Sequence, residues 1–273
     1  MNYYVHNIDP IIFSLKTPSF LSFFPEYLDV RWYGLAYLLG FIFSFLLLKK
    51  WAKKETLKIN PSELSDFIIL IGFFGVFLGG RLGYLLFYDL NNFLINPLIF
   101  FKIWEGGMAS HGGFIGVIIT TYWYAKKKSL SFWNLSDHLA ATASIGIGFG
   151  RIANFINGEL WGKITYVDWA VIFPQSGTLD PRHPSQLYQS LCEGFLVFIL
   201  IILLRTSNWG KRKGAISCSF LILYSLGRIT MEFFRFPDST IYFNWMTKGQ
   251  LYSFIIIIIS TLVIFKLRLY KRP

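Results

Sequence analysis

Long apolar runs, each followed by a short basic stretch, dominate the pattern of this chain. Residues 32–48, 68–88, 195–204 and 255–265 are almost free of charge. A helix needs roughly 20 mostly apolar residues to cross the hydrocarbon layer of a bilayer. The pattern therefore predicts an all-α integral membrane protein.

The same pattern predicts seven transmembrane helices within one polytopic membrane domain, residues 1–273. Their approximate bounds are 32–48, 67–88, 107–126, 138–156, 185–204, 215–234 and 249–265. Residues 1–31 contain prolines that interrupt any long helix, so we expect an extracytoplasmic N-terminal segment there. Residues 157–184, the longest polar stretch, are expected to form a small extracytoplasmic cap between helices 4 and 5, with a strand near 169–173.

The positions of the charges give the orientation. The chain has 26 Lys and Arg against 15 Asp and Glu, a formal charge of +11. Sixteen of the basic residues form four clusters at the ends of apolar runs, at 49–58, 126–128, 205–213 and 266–272. Basic residues in short loops mark the cytoplasmic side. The N-terminus is therefore predicted outside and the C-terminus in the cytoplasm, and the excess charge does not indicate a nucleic-acid partner.

The cysteines and the N-terminus add little chemistry. Cys192 and Cys218 lie in apolar stretches and are interpreted as small buried hydrophobic residues, with no disulfide framework. No metal site or other cofactor is predicted. The first residues lack the basic start, apolar core and small-residue cleavage site of a signal peptide.

Ionisable residues inside the predicted spans mark a candidate site. At a rise of about 1.5 Å per residue, Arg81, Arg151 and Arg228 each lie roughly 20 Å from the cytoplasmic start of their helices, and His111 roughly 24 Å. In a hydrocarbon layer about 30 Å thick, all four share one level in the outer half. Intramembrane ionisable residues normally face a cavity or one another, so we infer a shared site.

Each of these residues also has a simpler explanation. Arg228 and Glu232 are four residues apart and can form a private ion pair. Arg151 can extend to the headgroup layer, where its polar neighbours would only cap a helix end. His111 can be a buried core histidine, and Glu159 a surface residue. The inference of a shared site fails only if all of these explanations are correct at once.

The residue types favour an anionic lipid as the ligand. Arginine presents a rigid fork of donors that fits two phosphate oxygens. Several arginines near the outer headgroup level therefore indicate a phospholipid headgroup drawn into a cavity. Tyr33, Asn154 and Tyr224 offer neutral hydrogen bonds, and a histidine suits proton transfer near neutral pH.

Residues 150–162, with the sequence Gly-Arg-Ile-Ala-Asn-Phe-Ile-Asn-Gly-Glu-Leu-Trp-Gly, resemble the hallmark motif of bacterial prolipoprotein diacylglyceryl transferases. The likeness extends through residues 31–35, 79–84, 106–116, 182–188 and 228–235, and so along nearly the whole chain. One position departs from the family. Gln189 follows Gln186-Leu187-Tyr188 where the family usually has a glutamate, so no charged role is placed there.

The resemblance implies a multi-pass enzyme of the bacterial cytoplasmic (inner) membrane, with its active site toward the outer leaflet. Such an enzyme moves the diacylglyceryl group of phosphatidylglycerol onto the lipobox cysteine of a prolipoprotein signal peptide, at the start of lipoprotein maturation. A thioether forms and glycerol-1-phosphate leaves. The sulfur must attack as a thiolate, and a free thiol has a pKa of about 8.5. The leaving phosphate gains negative charge, which preplaced cations stabilise.

Family matches also assign roles to residues. Arg151 and Arg228 are expected to hold the phosphate, and His111 is the favoured base for the thiol. Glu159, a water or phosphate oxygen activated by arginine, and His183 stay open as alternative bases. The residues expected in or beside the cavity are Tyr33, Arg81, Asn154, Glu159, Gly162, Tyr224, Glu232 and Arg235.

A transporter or lipid flippase is the alternative from another functional class, since buried charges also line conduction paths. Such a path needs polar groups through both halves of the membrane. The inner halves of the predicted spans have almost no polar groups of this kind. Asp66, Asp137 and His138 are placed at the cytoplasmic rim. The distribution favours a one-sided cavity.

Overall fold

The structure is a computed structural model that describes residues 3–18, 20, 25–102, 106–237, 241, 242 and 246–270, except the side chains of residues 110, 111, 241 and 242. Most of these residues are helical. The α-helices are α1 (Trp32–Lys53), α2 (Leu64–Tyr88), α3 (Leu90–Ile95), α4 (Ser110–Lys127), α5 (Phe132–Ile156), α6 (Ser185–Thr206), α7 (Ala215–Met231) and α8 (Lys248–Lys266).

Within the described residues, five helices are long and apolar enough to cross a membrane: α1, α2, α5, α6 and α8. The predicted class, a mostly helical integral membrane protein, is confirmed at this level. Helix α4 and the 17-residue α7 coincide with the third and sixth predicted spans, but neither is among the five. Seven crossings and the orientation of the chain stay predictions.

The largest error in the predicted helix boundaries is at the start of α5. This helix begins at Phe132, six residues before the expected start, so Asp137 and His138 lie inside it rather than at its rim. Both are buried. The signal for the true start is Ser131, whose Oγ accepts a hydrogen bond from the Asn134 N–H at 3.4 Å in the manner of an N-cap. Hydropathy alone does not register that signal.

The chain divides into two compact units, one formed by Met1–Ser44 with Leu139–Pro273 and the other by Phe45–His138. We call them the terminal unit and the central unit. Arg151 and Arg228 belong to the terminal unit, whereas Arg81 and His111 belong to the central unit. The expectation of a single domain over residues 1–273 stays a prediction.

In the central unit, α2 and α4 pack through glycines. A Cβ on Gly112 would lie 2.3 Å from the carbonyl oxygen of Gly79 and 2.6 Å from the Cα of Gly83. Small residues spaced four apart allow two membrane helices to approach closely. The glycines beside His111 therefore bring two helix backbones together, which fixes the beginning of α4, where His111 is the second residue.

In the terminal unit, a similar close contact joins α5 to α6. A Cβ on Gly194 would lie 2.4 Å from the Cα of Gly148. Gly148 is three residues before Arg151, and Gly194 directly follows Glu193. The contact therefore brings the arginine of one helix within reach of the carboxylate of the other. Residues Ser190–Leu196 also adopt a π-helical turn, a local irregularity that is frequent at functional sites.

Among the residues that the structure describes, short strands form three small sheets. β1 pairs in parallel with β4, which pairs antiparallel with β5, while β2–β3 and β6–β7 are antiparallel pairs. The strands are β1 (Tyr4–Val5), β2 (Ile11–Lys16), β3 (Tyr27–Arg31), β4 (Val171–Ile172), β5 (Pro181–Arg182), β6 (Ile241–Tyr242) and β7 (Met246–Thr247). The predicted strand near residues 169–173 is confirmed by β4. The strands in the N-terminal segment were not predicted, because its prolines only exclude a long helix.

The N-terminal segment is anchored beside the end of α5. The His6 N–H donates to the Ile172 carbonyl oxygen at 2.8 Å. The His6 ring, 1% exposed, lies 5.3 Å from the Phe155 ring and 5.4 Å from that of Phe173. This packing covers the apolar side of the turn that carries Asn154 and Glu159.

Candidate active site

Helix α6 buries a polar face in its first half and an apolar face in its second. Residues three or four apart share one helix face, so its buried residues form a continuous stripe. In order, they are Ser185, Gln186, Gln189, Ser190, Glu193, Gly194, Val197 and Ile201. Buried polar groups require partners, and the partners of this stripe define the candidate active site.

The fully buried Glu193 carboxylate lies between two arginines from different helices. Its Oε2 accepts a hydrogen bond from Nη2 of Arg151 at 3.2 Å, and its Oε1 is 3.8 Å from Nη1 of Arg228. Nη2 of Arg228 is also 3.1 Å from Oε2 of Glu232. A Cβ on Gly249 would lie 3.0 Å from Nη2 of Arg228, so α8 packs against this guanidinium. Two guanidiniums and two carboxylates give the cluster a formal charge of zero.

Tyrosines flank the Arg151 guanidinium. Tyr33, near the start of α1, and Tyr224, one turn before Arg228 in α7, both interact electrostatically with Arg151. Tyr37 does so too, and its ring lies 5.3 Å from that of Tyr33. The structure therefore brings together Arg151, Arg228, Glu232, Tyr33 and Tyr224 from the predicted set.

A second polar cluster lies at the C-terminal end of α5. Oε1 of Glu159 accepts hydrogen bonds from Nδ2 of Asn154 at 2.8 Å and from Nδ2 of Asn157 at 3.2 Å. Gly158, with a φ of +64°, reverses the backbone there, and the Glu159 N–H donates to the Asn154 carbonyl oxygen. These three side chains thus pair with one another at a helix end, in line with the simpler of the two interpretations of the motif. Arg151, by contrast, is held by a different helix.

The backbone of Gly162 connects two segments of the chain. Its N–H donates to the His183 carbonyl oxygen at 2.9 Å, and it forms an antiparallel bridge with Arg235. A Cβ at this position would lie 2.5 Å from the His183 carbonyl oxygen and 2.7 Å from that of Phe234. Only glycine fits there, and it ties the segment that follows α5 to the segment that follows α7.

Comparison with known proteins identifies the family of this chain. Residues 18–266 match the sequence model of the family described as prolipoprotein diacylglyceryl transferase. The chain belongs to this family. Two similar proteins are the phosphatidylglycerol–prolipoprotein diacylglyceryl transferases of Aeromonas hydrophila, 47% identical over 268 residues (97% of this chain, 92% of that protein), and of Coxiella burnetii, 43% identical over 263 residues (95% of each). The resemblance drawn from the motifs is confirmed.

Arg81 has a separate position in this member of the transferase family. A guanidinium has five N–H donors, and those of Arg81 point to five backbone carbonyl oxygens. These belong to Ile99, Phe100, Lys102, Gly106 and Gly107, and the measured distances to Phe100, Gly107 and Lys102 are 3.2, 3.1 and 3.0 Å. With every donor engaged and the residue 2% exposed, Arg81 organises this segment.

We expect Arg81→Lys to loosen the segment that Arg81 binds. An ammonium group has three donors and cannot reach five carbonyl oxygens from one position. Limited proteolysis in detergent should cut within residues 97–107 at least several-fold faster than in the unchanged protein. An unchanged cleavage rate at these residues would show that the five hydrogen bonds do not hold the segment.

The two histidines considered as bases differ in what the structure describes. The His111 side chain lies outside the described residues, and only its place in α4 is known. His183 lies in the turn before α6, with Nδ1 3.2 Å from the Tyr188 hydroxyl, which accepts a hydrogen bond from Nε1 of Trp169 at 2.6 Å. Burial lowers the pKa of His183, so its imidazole is neutral at pH 7 and able to accept a proton.

Glu193 is the functional residue that sequence reasoning missed. The sequence analysis predicts the arginines and residues 150–162 as the site and places Glu193 within the fifth span without a role. A signal was present, because an acidic residue within a predicted span is costly and therefore marks a site. Its spacing of four residues from Gln189, where the family usually has a glutamate, is a second signal.

Proposed function

We propose that this chain transfers the diacylglyceryl group of phosphatidylglycerol to the lipobox cysteine thiol of a prolipoprotein, the first step of lipoprotein maturation. The names of the similar transferases support these substrates. A C–S bond forms at the diacylglycerol carbon, the C–O bond to phosphate breaks, and glycerol-1-phosphate leaves. The thiol proton passes to a base.

The observation that carries this proposal is the meeting of Arg151 and Arg228 at the buried Glu193. A phosphodiester arrives with one negative charge and departs as a phosphomonoester that gains a second. Hydrogen-bond donors that are already in position, in a site that little water enters, stabilise such developing charge because they need not reorganise during the reaction. Glu193 bridges the two guanidiniums and orients them, so that both address one phosphate.

The other predicted site residues have supporting roles in this proposal. Tyr33 and Tyr224 orient Arg151, and Glu232 orients Arg228. Asn154 and Glu159 line the cavity at the end of α5. The backbone bridge between Gly162 and Arg235 holds the segment that follows them in place. Arg81 binds backbone carbonyl oxygens at residues 99, 100, 102, 106 and 107 and does not bind the phosphate, since its donors are engaged.

We further propose seven crossings in the bacterial cytoplasmic membrane, with the N-terminus outside, the C-terminus in the cytoplasm and the site toward the outer leaflet. The four basic clusters support this orientation. It places the polar half of the α6 stripe in the outer leaflet and the apolar half, with Val197 and Ile201, in the inner leaflet. That distribution favours a one-sided cavity over a transport path.

His111 is our proposed base for the thiol. Replacing it with glutamine keeps a polar side chain but removes the titratable nitrogen, so we expect His111→Gln to lower the rate of thioether formation by about 10²–10⁴-fold, as is typical for loss of general base catalysis. The measurement is the initial rate on a lipobox peptide. A near-normal rate would assign the role to Glu159, to His183 or to an oxygen activated by arginine, and the same substitution at His183 is the parallel comparison.

The proposed function is tested by incubating the purified protein with phosphatidylglycerol and a lipobox peptide. We expect the diacylglyceryl thioether and glycerol-1-phosphate to appear together in equal amounts. A peptide with serine in place of the lipobox cysteine should yield neither product. Consumption of lipid without a peptide adduct, or the same products from the serine peptide, would contradict the proposal.

A further inference from the structure

One buried side chain on the polar stripe lacks the partners that its neighbours have. Ser190 donates to the Gly148 carbonyl oxygen at 2.8 Å, and Gln186 donates to the Glu159 carbonyl oxygen at 2.6 Å. Gln189 lies between them and is 0% exposed. Among the residues that the structure describes, neither its Oε1 nor its Nε2 has a hydrogen-bond partner.

A carboxamide in this state is unfavourable, because it loses its hydrogen bonds to water and gains none from the protein. Most buried polar groups in native proteins do have a partner. A buried amide with both atoms unpaired therefore points to a ligand that supplies one acceptor and at least one donor. Hydroxyl groups meet this requirement, since each can donate and accept.

The position of Gln189 identifies which part of a ligand it meets. It precedes Glu193 by four residues and thus lies on the same helix face, about 6 Å along the axis toward the N-terminus of α6. Glu193 holds Arg151 and Arg228, and the side chains of these arginines retain 16% and 12% exposure. Gln189 is thus one helical turn from the residue whose carboxylate holds the guanidiniums assigned to the phosphate.

We propose that Gln189 binds the hydroxyl groups of the headgroup glycerol and makes the enzyme selective for a polyol headgroup. This inference rests on the proposed function. The headgroup is joined to the phosphate through an ester oxygen, so its hydroxyls lie a few ångströms from the phosphate held by the arginines. The Gln189 oxygen accepts from one hydroxyl, and its N–H groups donate to a hydroxyl oxygen.

The same geometry discriminates against aminoalcohol headgroups. A headgroup ammonium offers only donors and would leave the Gln189 N–H groups without an acceptor. It would also bring a positive charge toward two guanidiniums. A headgroup without hydroxyls would leave the whole carboxamide unpaired, and sites built to bind a hydroxyl reject such analogues strongly.

The test compares phosphatidylglycerol with phosphatidylpropanol, which has the same three-carbon phosphate ester without hydroxyls. We expect the full chain to prefer phosphatidylglycerol by at least about tenfold in kcat/KM for thioether formation. Gln189→Leu and Gln189→Met should bring this preference close to one. They should also leave kcat/KM for phosphatidylpropanol within about threefold of the unchanged protein, since that lipid never paired with the amide.

Two variants serve as controls. Gln189→Glu retains an acceptor for a hydroxyl and should keep a preference for phosphatidylglycerol. Ser190→Ala removes a neighbouring buried polar group whose partner is a protein carbonyl oxygen, so it should leave the preference unchanged. Thermal unfolding of each variant in detergent checks that the fold is retained.

Three results would overturn the inference. An unchanged preference in both apolar Gln189 variants would show that the amide does not contact the headgroup. An equal loss of activity on both lipids would show that Gln189 only supports the fold. If the unchanged protein forms no thioether from either lipid, the proposed function fails and the inference fails with it. If transfer occurs but does not depend on Gln189, only the inference is overturned.

Discussion

Arg151→Lys is expected to lower kcat/KM for thioether formation by about 10²–10³-fold, the usual cost of losing one preplaced group that stabilises developing charge. Nη2 of Arg151 is engaged by Glu193 at 3.2 Å, and we expect the same planar fork to present further donors to a phosphate. An ammonium is a compact point charge and cannot serve both contacts with fixed geometry. Because lysine keeps the positive charge, the fall in kcat/KM measures the contribution of the guanidinium's geometry.

The initial rate on a lipobox peptide in bilayers that contain phosphatidylglycerol checks this expectation. Arg212→Lys is a matched control, because Arg212 lies over the Trp209 ring at 5.8 Å in a basic cluster away from the site, and its replacement should leave the rate unchanged. If Arg151→Lys retained a near-normal rate, bidentate phosphate binding by Arg151 would be excluded.

The helices were largely predictable from hydropathy, and the errors have identifiable causes. Apolar runs mark the membrane helices because each must bury its backbone polar groups internally. The start of α5 was missed because an N-cap serine precedes an apolar aromatic pair that belongs to the helix. The strands of the N-terminal segment were missed because two to six residues of exposed strand carry no strong periodic signal.

The sequence predicted the cations of the site and Glu232, but not the central carboxylate, Glu193. Arg151 and Arg228 stood out as charges within apolar spans, and the structure brings them together. Their common partner, Glu193, required knowledge of which helix faces meet, and that is set by the contact of Gly148 with Gly194. Arg81 had the same sequence signal as the other arginines. Its five carbonyl partners lie at residues 99, 100, 102, 106 and 107, and no periodic pattern predicts these contacts.

Glu193→Gln tests whether the carboxylate positions the arginines, because the substitution leaves the charges of the arginines themselves unchanged. The substitution leaves two guanidiniums with only the Glu232 carboxylate, so the cluster changes from a formal charge of zero to +1. Loss of one partner from a buried ion pair costs roughly 3–5 kcal/mol of stability. An anionic headgroup should still bind, so KM for phosphatidylglycerol should not rise. The carboxylate no longer bridges the two guanidiniums or offsets their mutual repulsion, and kcat should fall by about 10²-fold because preplaced charge stabilisation is lost.

A residue that only supports the fold would also lower the apparent kcat and leave KM unaltered, because its loss lowers the active fraction. The rates are therefore expressed per folded molecule, and a fall in that kcat distinguishes the positioning role of Glu193. Aspartate keeps the charge on a side chain shorter by one methylene, so it should restore stability more than it restores kcat. Glu63→Gln is the matched control, since Glu63 forms an exposed ion pair with Lys128 at 2.8 Å and exposed pairs contribute little. A kcat close to normal in Glu193→Gln would mean that Arg151 and Arg228 reach their working geometry without the carboxylate, and the central role assigned to the α6 stripe would then be wrong.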